Sequence, residues 1–144
     1  MITKEELIYL AGFFDGEGCV TITWVKNMPG RLLVKIGNTN EHIIKLIRKW
    51  FKGSITHQKG KGNSKDSWHY QTCNGNAVMF LKAIYPHLLI KKEQAHMAFE
   101  YSKLIYMKGR GTNKIPEVVL NLRKKLFDQM HVLNHPGNNQ VTIT

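Results

Sequence analysis

The sequence predicts an α+β domain in which one four-stranded antiparallel sheet is covered by helices on a single face. Three observations lead there. Four short segments alternate apolar and polar residues with period two, and longer segments carry apolar residues at helical spacing. The succession strand–strand–helix occurs twice, with no linker between the copies. The full order read from the chain is αββαββα followed by two further helices.

Thr3 and Glu6 have the spacing of a capping box, and the apolar run Leu7, Ile8, Leu10, Ala11, Phe13, Phe14 follows. A first helix should therefore end near Asp15 and Gly16. Residues 18–26 read as a strand, with Val20, Ile22 and Trp24 alternating with Cys19, Thr21 and Thr23. Asn-Met-Pro-Gly at 27–30 predicts a turn, and 31–37 a second strand. Asn38, Thr39 and Asn40 offer caps for a helix over 41–51, which Gly53 ends. A second hairpin pairs strands at 54–58 and 67–73 across a loop rich in Lys and Gly. A third helix runs from 75 to Tyr85 and stops at Pro86, and a fourth spans 91–107. A fifth starts at Pro116 and reaches Asn134. The single domain is expected over 1–137, with a polar tail over 138–144.

The alternation makes the two faces of the sheet different. One carries Val20, Ile22, Trp24, Leu32, Val34, Ile36, Ile55, Trp68 and Tyr70, which helices can cover. The other carries Thr21, Thr23, Arg31, Leu33, Lys35, Thr56, Gln58, His69 and Gln71. Hydrogen-bonding side chains on a twisted support suit the donor and acceptor pattern of a DNA major groove, and a leucine suits a thymine methyl. Lys59 and Lys61, with Lys65, would reach phosphates beside it. The plainer reading is the wet side of an ordinary antiparallel sheet.

Composition narrows the partner. The 144 residues include 21 Lys plus Arg against 10 Asp plus Glu, a net charge of +11. Such an excess favours a polyanion, because neutralising phosphates releases condensed counterions. No apolar run approaches the roughly 18–20 residues of a membrane span, and the N-terminus lacks a secretory layout. The expectation is an intracellular protein with no membrane partner, cytoplasmic in a prokaryote or organellar. Cys19 and Cys73 are too few and too far apart for a disulfide framework or a paired-cysteine zinc site.

Residues 10–18 read Leu-Ala-Gly-Phe-Phe-Asp-Gly-Glu-Gly, at the end of a helix and directly before a strand. This stretch resembles the LAGLIDADG motif of homing endonucleases, with Glu17 in place of its final acid. Gly12 and Gly16 lie four apart on one helix face, so two such helices can approach closely. The interface expected from the motif comprises Leu10, Ala11, Gly12, Phe13, Asp15 and Gly16. A double-strand break needs one carboxylate per scissile strand, and the chain has one motif; a two-fold homodimer supplies the second.

What the resemblance implies is a homing DNA endonuclease that cuts a long, nearly palindromic double-stranded site and leaves short 3′ overhangs. Mg²⁺ suits hard oxygen ligands, here the Glu17 carboxylate and the Gly16 carbonyl. The run from Pro86 to Ala95 resembles the stretch that carries the family's basic residue, with Lys91 at the matching position and Lys92 as the alternative. Asn38 matches a position that orders water, and His42 falls where relatives can carry arginine. The rival readings are an intron RNA maturase, with intron RNA as a further partner, or a non-cleaving DNA-binding regulator on the same scaffold. A plain RNA-binding protein and a nuclease built on His131 or His135 have less in the sequence to support them.

Overall fold

The computed structural model describes residues 1–25, 28–105 and 115–135. Helix α1, Lys4–Glu17, opens on the expected capping box: the Thr3 hydroxyl accepts the Glu6 N–H at 3.1 Å and the Glu6 carboxylate accepts the Thr3 N–H at 2.8 Å. Strands β1 (Gly18–Val25) and β2 (Met28–Asn38) form the first hairpin, and α2 is Glu41–Trp50. Strands β3 (Ser54–Gln58) and β4 (Ser67–Cys73) form the second, followed by α3 (Asn74–Ile84), α4 (Lys92–Ile105) and α5 (Glu117–Asn134). The strand order β1-β2-β4-β3 joins the hairpins through their inner strands into one antiparallel sheet.

The predicted elements are present, with two local differences. The sequence predicts a turn over 27–30, but Met28 already pairs with Val25 and β2 begins there. Gly30 lies inside β2 at φ +55°, a conformation other residues avoid, and its carbonyl accepts the buried Tyr101 hydroxyl from α4. Pro86 does not simply stop α3; it sits in a 3-10 turn, Tyr85–His87, that redirects the chain toward α4. The tail expected over 138–144 lies outside the described residues.

The apolar face of the sheet carries the core. Val20, Leu32, Val34, Ile36 and Tyr70 are fully buried beneath Leu10, Ala11 and Phe14 of α1, Ile44 and Ile47 of α2, and Phe80 and Leu81 of α3. Tyr70 also donates its hydroxyl to the Lys52 carbonyl at 2.7 Å, pinning β4 to the turn after α2. Helix α5 packs on β1, and Asn134 Nδ2 donates to the Val20 carbonyl at 2.8 Å. Every described helix therefore serves one side of the sheet, and no described helix covers the other. No helix among the described residues is long and apolar enough to cross a membrane.

Candidate nucleic-acid interface and active site

Strand register aligns the outward side chains of the open face in rows. Cys19, Lys35, Gln71 and Ser54 are successive cross-strand partners, and Gly37, His69 and Thr56 form the next row. Thr23 pairs with Arg31, and Gln58 lies opposite Ser67. Arg31, Lys35, Thr56, Gln58, Lys59 and Lys61 are exposed; Thr21, Thr23, His69 and Gln71 are half-buried. These residues form one polar surface. Leu33 is the correction: it is 3% exposed, enclosed at the sheet centre between Thr21 and Cys73 on neighbouring strands, and cannot offer a contact surface.

His69 is held in one orientation. Its Nε2 bonds the Ser67 hydroxyl at 3.0 Å, and its ring lies over Gly37, where an added Cβ would come within 2.5 Å of Nδ1. Glycine at 37 thus makes room for the His69 ring. Beside it lies a cleft of about 570 Å³ lined by Glu17, Cys19, Lys35, Gly37, Asn38, Thr39, Ser67 and His69.

Glu17 is the last residue of α1 and is exposed at this cleft. A carboxylate at a helix C-terminus faces the negative end of the helix dipole. Glu17 has no hydrogen bond or ion pair among the described residues. Asp15, two residues earlier, is compensated: Oδ2 accepts the Leu89 N–H at 2.8 Å and Oδ1 the Lys91 N–H at 2.9 Å. The Lys91 ammonium then donates to the Asp15 carbonyl at 2.6 Å. Of the predicted chemical residues, the fold brings Glu17 and Asn38 into one cleft and places Lys91 against the end of α1, outside the residues that line it. The Asn38 side-chain Oδ1 accepts the Asn40 N–H at 2.8 Å, which leaves its Nδ2 hydrogens for the cleft. His42 is exposed on the first turn of α2 and does not line the cleft.

A family model described as LAGLIDADG endonuclease matches residues 10–104. The chain belongs to the LAGLIDADG endonuclease family. It is 24% identical over 143 residues to DNA endonuclease I-CreI of Chlamydomonas reinhardtii, covering 96% of this chain and 85% of that protein. The crystal structure of homing endonuclease I-CvuI with the I-CreI target, in the presence of Mg and with the DNA not cleaved, has a TM-score of 0.74 at 21% identity. That match covers 90% of this chain and 82% of I-CvuI. The LAGLIDADG meganuclease I-AabMI bound to uncleaved DNA matches 91% of this chain but only 49% of its own length, at TM-score 0.62 and 21% identity.

Within this LAGLIDADG helix the motif letters and the exposed face do not coincide. Leu10 and Ala11 are fully buried in their own core and Asp15 is 8% exposed, so none of the three is available to a second copy as expected. Helical spacing is the reason: positions 7, 10, 11 and 14 share the inward face. The outward face carries Gly12, Gly16 and half-buried Phe13, together with Ile8 and Tyr9, which are 48% and 56% exposed. Ile8 and Tyr9 stand in an i, i+4 relation to Gly12 and Phe13 that is written in the sequence.

The donor set at the end of α1 fits a hard divalent cation. Gly18 N–H takes the Phe14 carbonyl and Lys91 takes that of Asp15, so Gly16 is the next carbonyl, beside the unpartnered Glu17 carboxylate. Both are oxygen donors at a negative helix end. The described residues hold no group of three or more His, Cys, Asp or Glu that would cage an ion alone. Two charges of α5 have partners of their own: Arg123 is buried and caps α4 by donating to the Leu104 and Ile105 carbonyls at 2.9 and 3.1 Å, and Lys124 lies over Trp24 and Phe127.

Proposed function

We propose that the chain acts as a homodimeric, Mg²⁺-dependent homing endonuclease that cuts both strands of a long, nearly palindromic DNA site, leaving short 3′ overhangs. The observation that carries this reading is Glu17: an exposed, uncompensated carboxylate at the negative end of α1, opening on the polar face of the sheet. A divalent cation held by Glu17 and the Gly16 carbonyl would polarise the phosphodiester and lower the pKa of an attacking water.

The chain's own groups divide the remaining work. The polar rows bind and register the duplex, since Thr, Gln, Lys, Arg and His side chains can address base edges while loop lysines meet phosphate. Asn38 donates toward water in the cleft. Lys91 holds positive charge behind the reacting phosphate and fixes the end of α1. One chain has one such site, and it matches about half of I-AabMI, so a second copy across the Gly12–Gly16 face completes the pair. The intron-RNA partner draws no support from the fold or from the relatives.

The test is a randomised palindromic DNA library incubated with Mg²⁺ and either the wild-type protein or Glu17→Gln, with cut and bound molecules sequenced. The reading requires that both proteins enrich one site and that only the wild type cuts it, with a loss of at least roughly a hundredfold in the variant. Binding by both without cleavage by either would establish a regulator on this scaffold instead.

A further inference from the structure

We infer that Asp66 is a positioning residue for DNA: it latches the β3–β4 loop into a preformed cup for a backbone phosphate. The inference rests on reading the open sheet face as a DNA-binding surface. The loop spans 59–66 and carries Lys59, Lys61 and Lys65, all exposed. Left to itself, a loop of this length rich in Gly and Lys would hold its ammonium groups in many places, and ordering them on DNA would cost conformational entropy.

The fold orders it beforehand. Asp66 Oδ1 accepts the Gly60 N–H at 2.9 Å and Oδ2 bonds His57 Nε2 at 2.9 Å. His57 in turn stacks on Trp68, with ring centroids 4.9 Å apart and planes within 14°. Gly60 passes so close to the far side of the loop that an added Cβ would come within 2.0 Å of the Ser64 carbonyl. Ser64 N–H closes the tip on the Lys61 carbonyl at 3.1 Å. These contacts tie both strands of the hairpin to one carboxylate.

The open cup has a volume of about 370 Å³ and is lined by Lys59, Lys61 and Lys65, with Ser64, Ser67 and His69 among the rest. Ammonium and hydroxyl donors around one concavity match the oxygens of a phosphodiester. The cup adjoins the row of His69 and Thr56, where a bound duplex would present its backbone at the rim of the reading surface. The Gly60 N–H and then His57 hold the Asp66 carboxyl below the usual aspartate range, so the latch is ionised at neutral pH.

The latch makes a prediction with an unexpected sign. Charge alone says that removing a carboxylate beside three ammonium groups tightens binding to a polyanion. Positioning says that it weakens binding. The experiment measures affinity of full-length protein for its selected DNA site in EDTA across a salt series, comparing wild type, Asp66→Ala and Asp66→Asn. Asp66→Ala should bind about tenfold more weakly, with a salt slope shallower by about one for each phosphate that is no longer neutralised. Asp66→Asn keeps an acceptor for Gly60 and should fall between. Amide exchange at Gly60 without DNA should quicken in Asp66→Ala while the melting temperature holds. Asp66→Ala binding as tightly as wild type, or tighter, overturns the latch alone. Wild-type protein that binds no site overturns the DNA reading and the latch with it.

Discussion

Lys91 reaches back across 76 residues of sequence to Asp15, giving its backbone N–H to the carboxylate and its ammonium to the carbonyl. The buried acid therefore acts as a fastener: it sets where the basic side chain stands relative to the end of α1, and so relative to Glu17. In Asp15→Asn one of the two N–H groups it now accepts would face an amide donor. The expected cost is about 1–3 kcal/mol of stability. Urea denaturation measures that loss, and cleavage should fall further than DNA binding because Lys91 is displaced. Unchanged stability with full cleavage would remove the fastener role.

Gly12 lies on the outward face of α1, where an added Cβ meets nothing within 4 Å in the monomer. A larger residue there should leave the single chain folded, and a better helix former gains about 0.5–1 kcal/mol over glycine. If two α1 helices pack face to face, Gly12→Leu must hold them apart. Sedimentation should then show monomer, with normal helical content and no double-strand cleavage. A stable, active Gly12→Leu dimer would place the interface elsewhere.

Alkaline stability follows from two buried phenols. Burial pushes the hydroxyls of Tyr70 and Tyr101 up to about 12 from an ordinary value of 10.0, and both side chains have no exposed surface. Unfolded, they ionise from about pH 10; folded, they hold their protons to about pH 12. The unfolded state is thus the one that gains by losing protons. Stability is intact below about pH 10 and declines above it, by up to about 1.4 kcal/mol per pH unit for each tyrosine. Denaturation midpoints of wild type and Tyr101→Phe as pH rises should show a shallower decline in the variant.

The fold was largely readable because its signals are local: a capping box at Thr3 and Glu6, period-two strands, and a motif seated between helix and strand. The open face of the sheet was readable for the same reason, since register follows from alternation. What escaped needed tertiary contact. Nothing near Asp15 in sequence announces Leu89 and Lys91, and Leu33 fits a polar row until its neighbours close over it. Nothing near Arg123 in sequence announces that its buried guanidinium caps the carbonyls that end α4. The outward side of α1 was harder to read for a different reason: the motif's most recognisable letters, Leu10 and Ala11, belong to the core, and the exposed face is carried by Ile8, Tyr9, Gly12 and Gly16 on either side of them.

The ring of His69 occupies the space that a side chain at Gly37 would need. Attempts to retarget the protein would meet that fact as epistasis. A library that varies position 37 alone would be read mostly as loss of function, because any new side chain must first evict the histidine. Varying position 69 alone would leave a hollow over bare backbone. On the proposed DNA-binding reading the two sites form a single letter of the recognition alphabet, and they have to be randomised together to reveal what either can read.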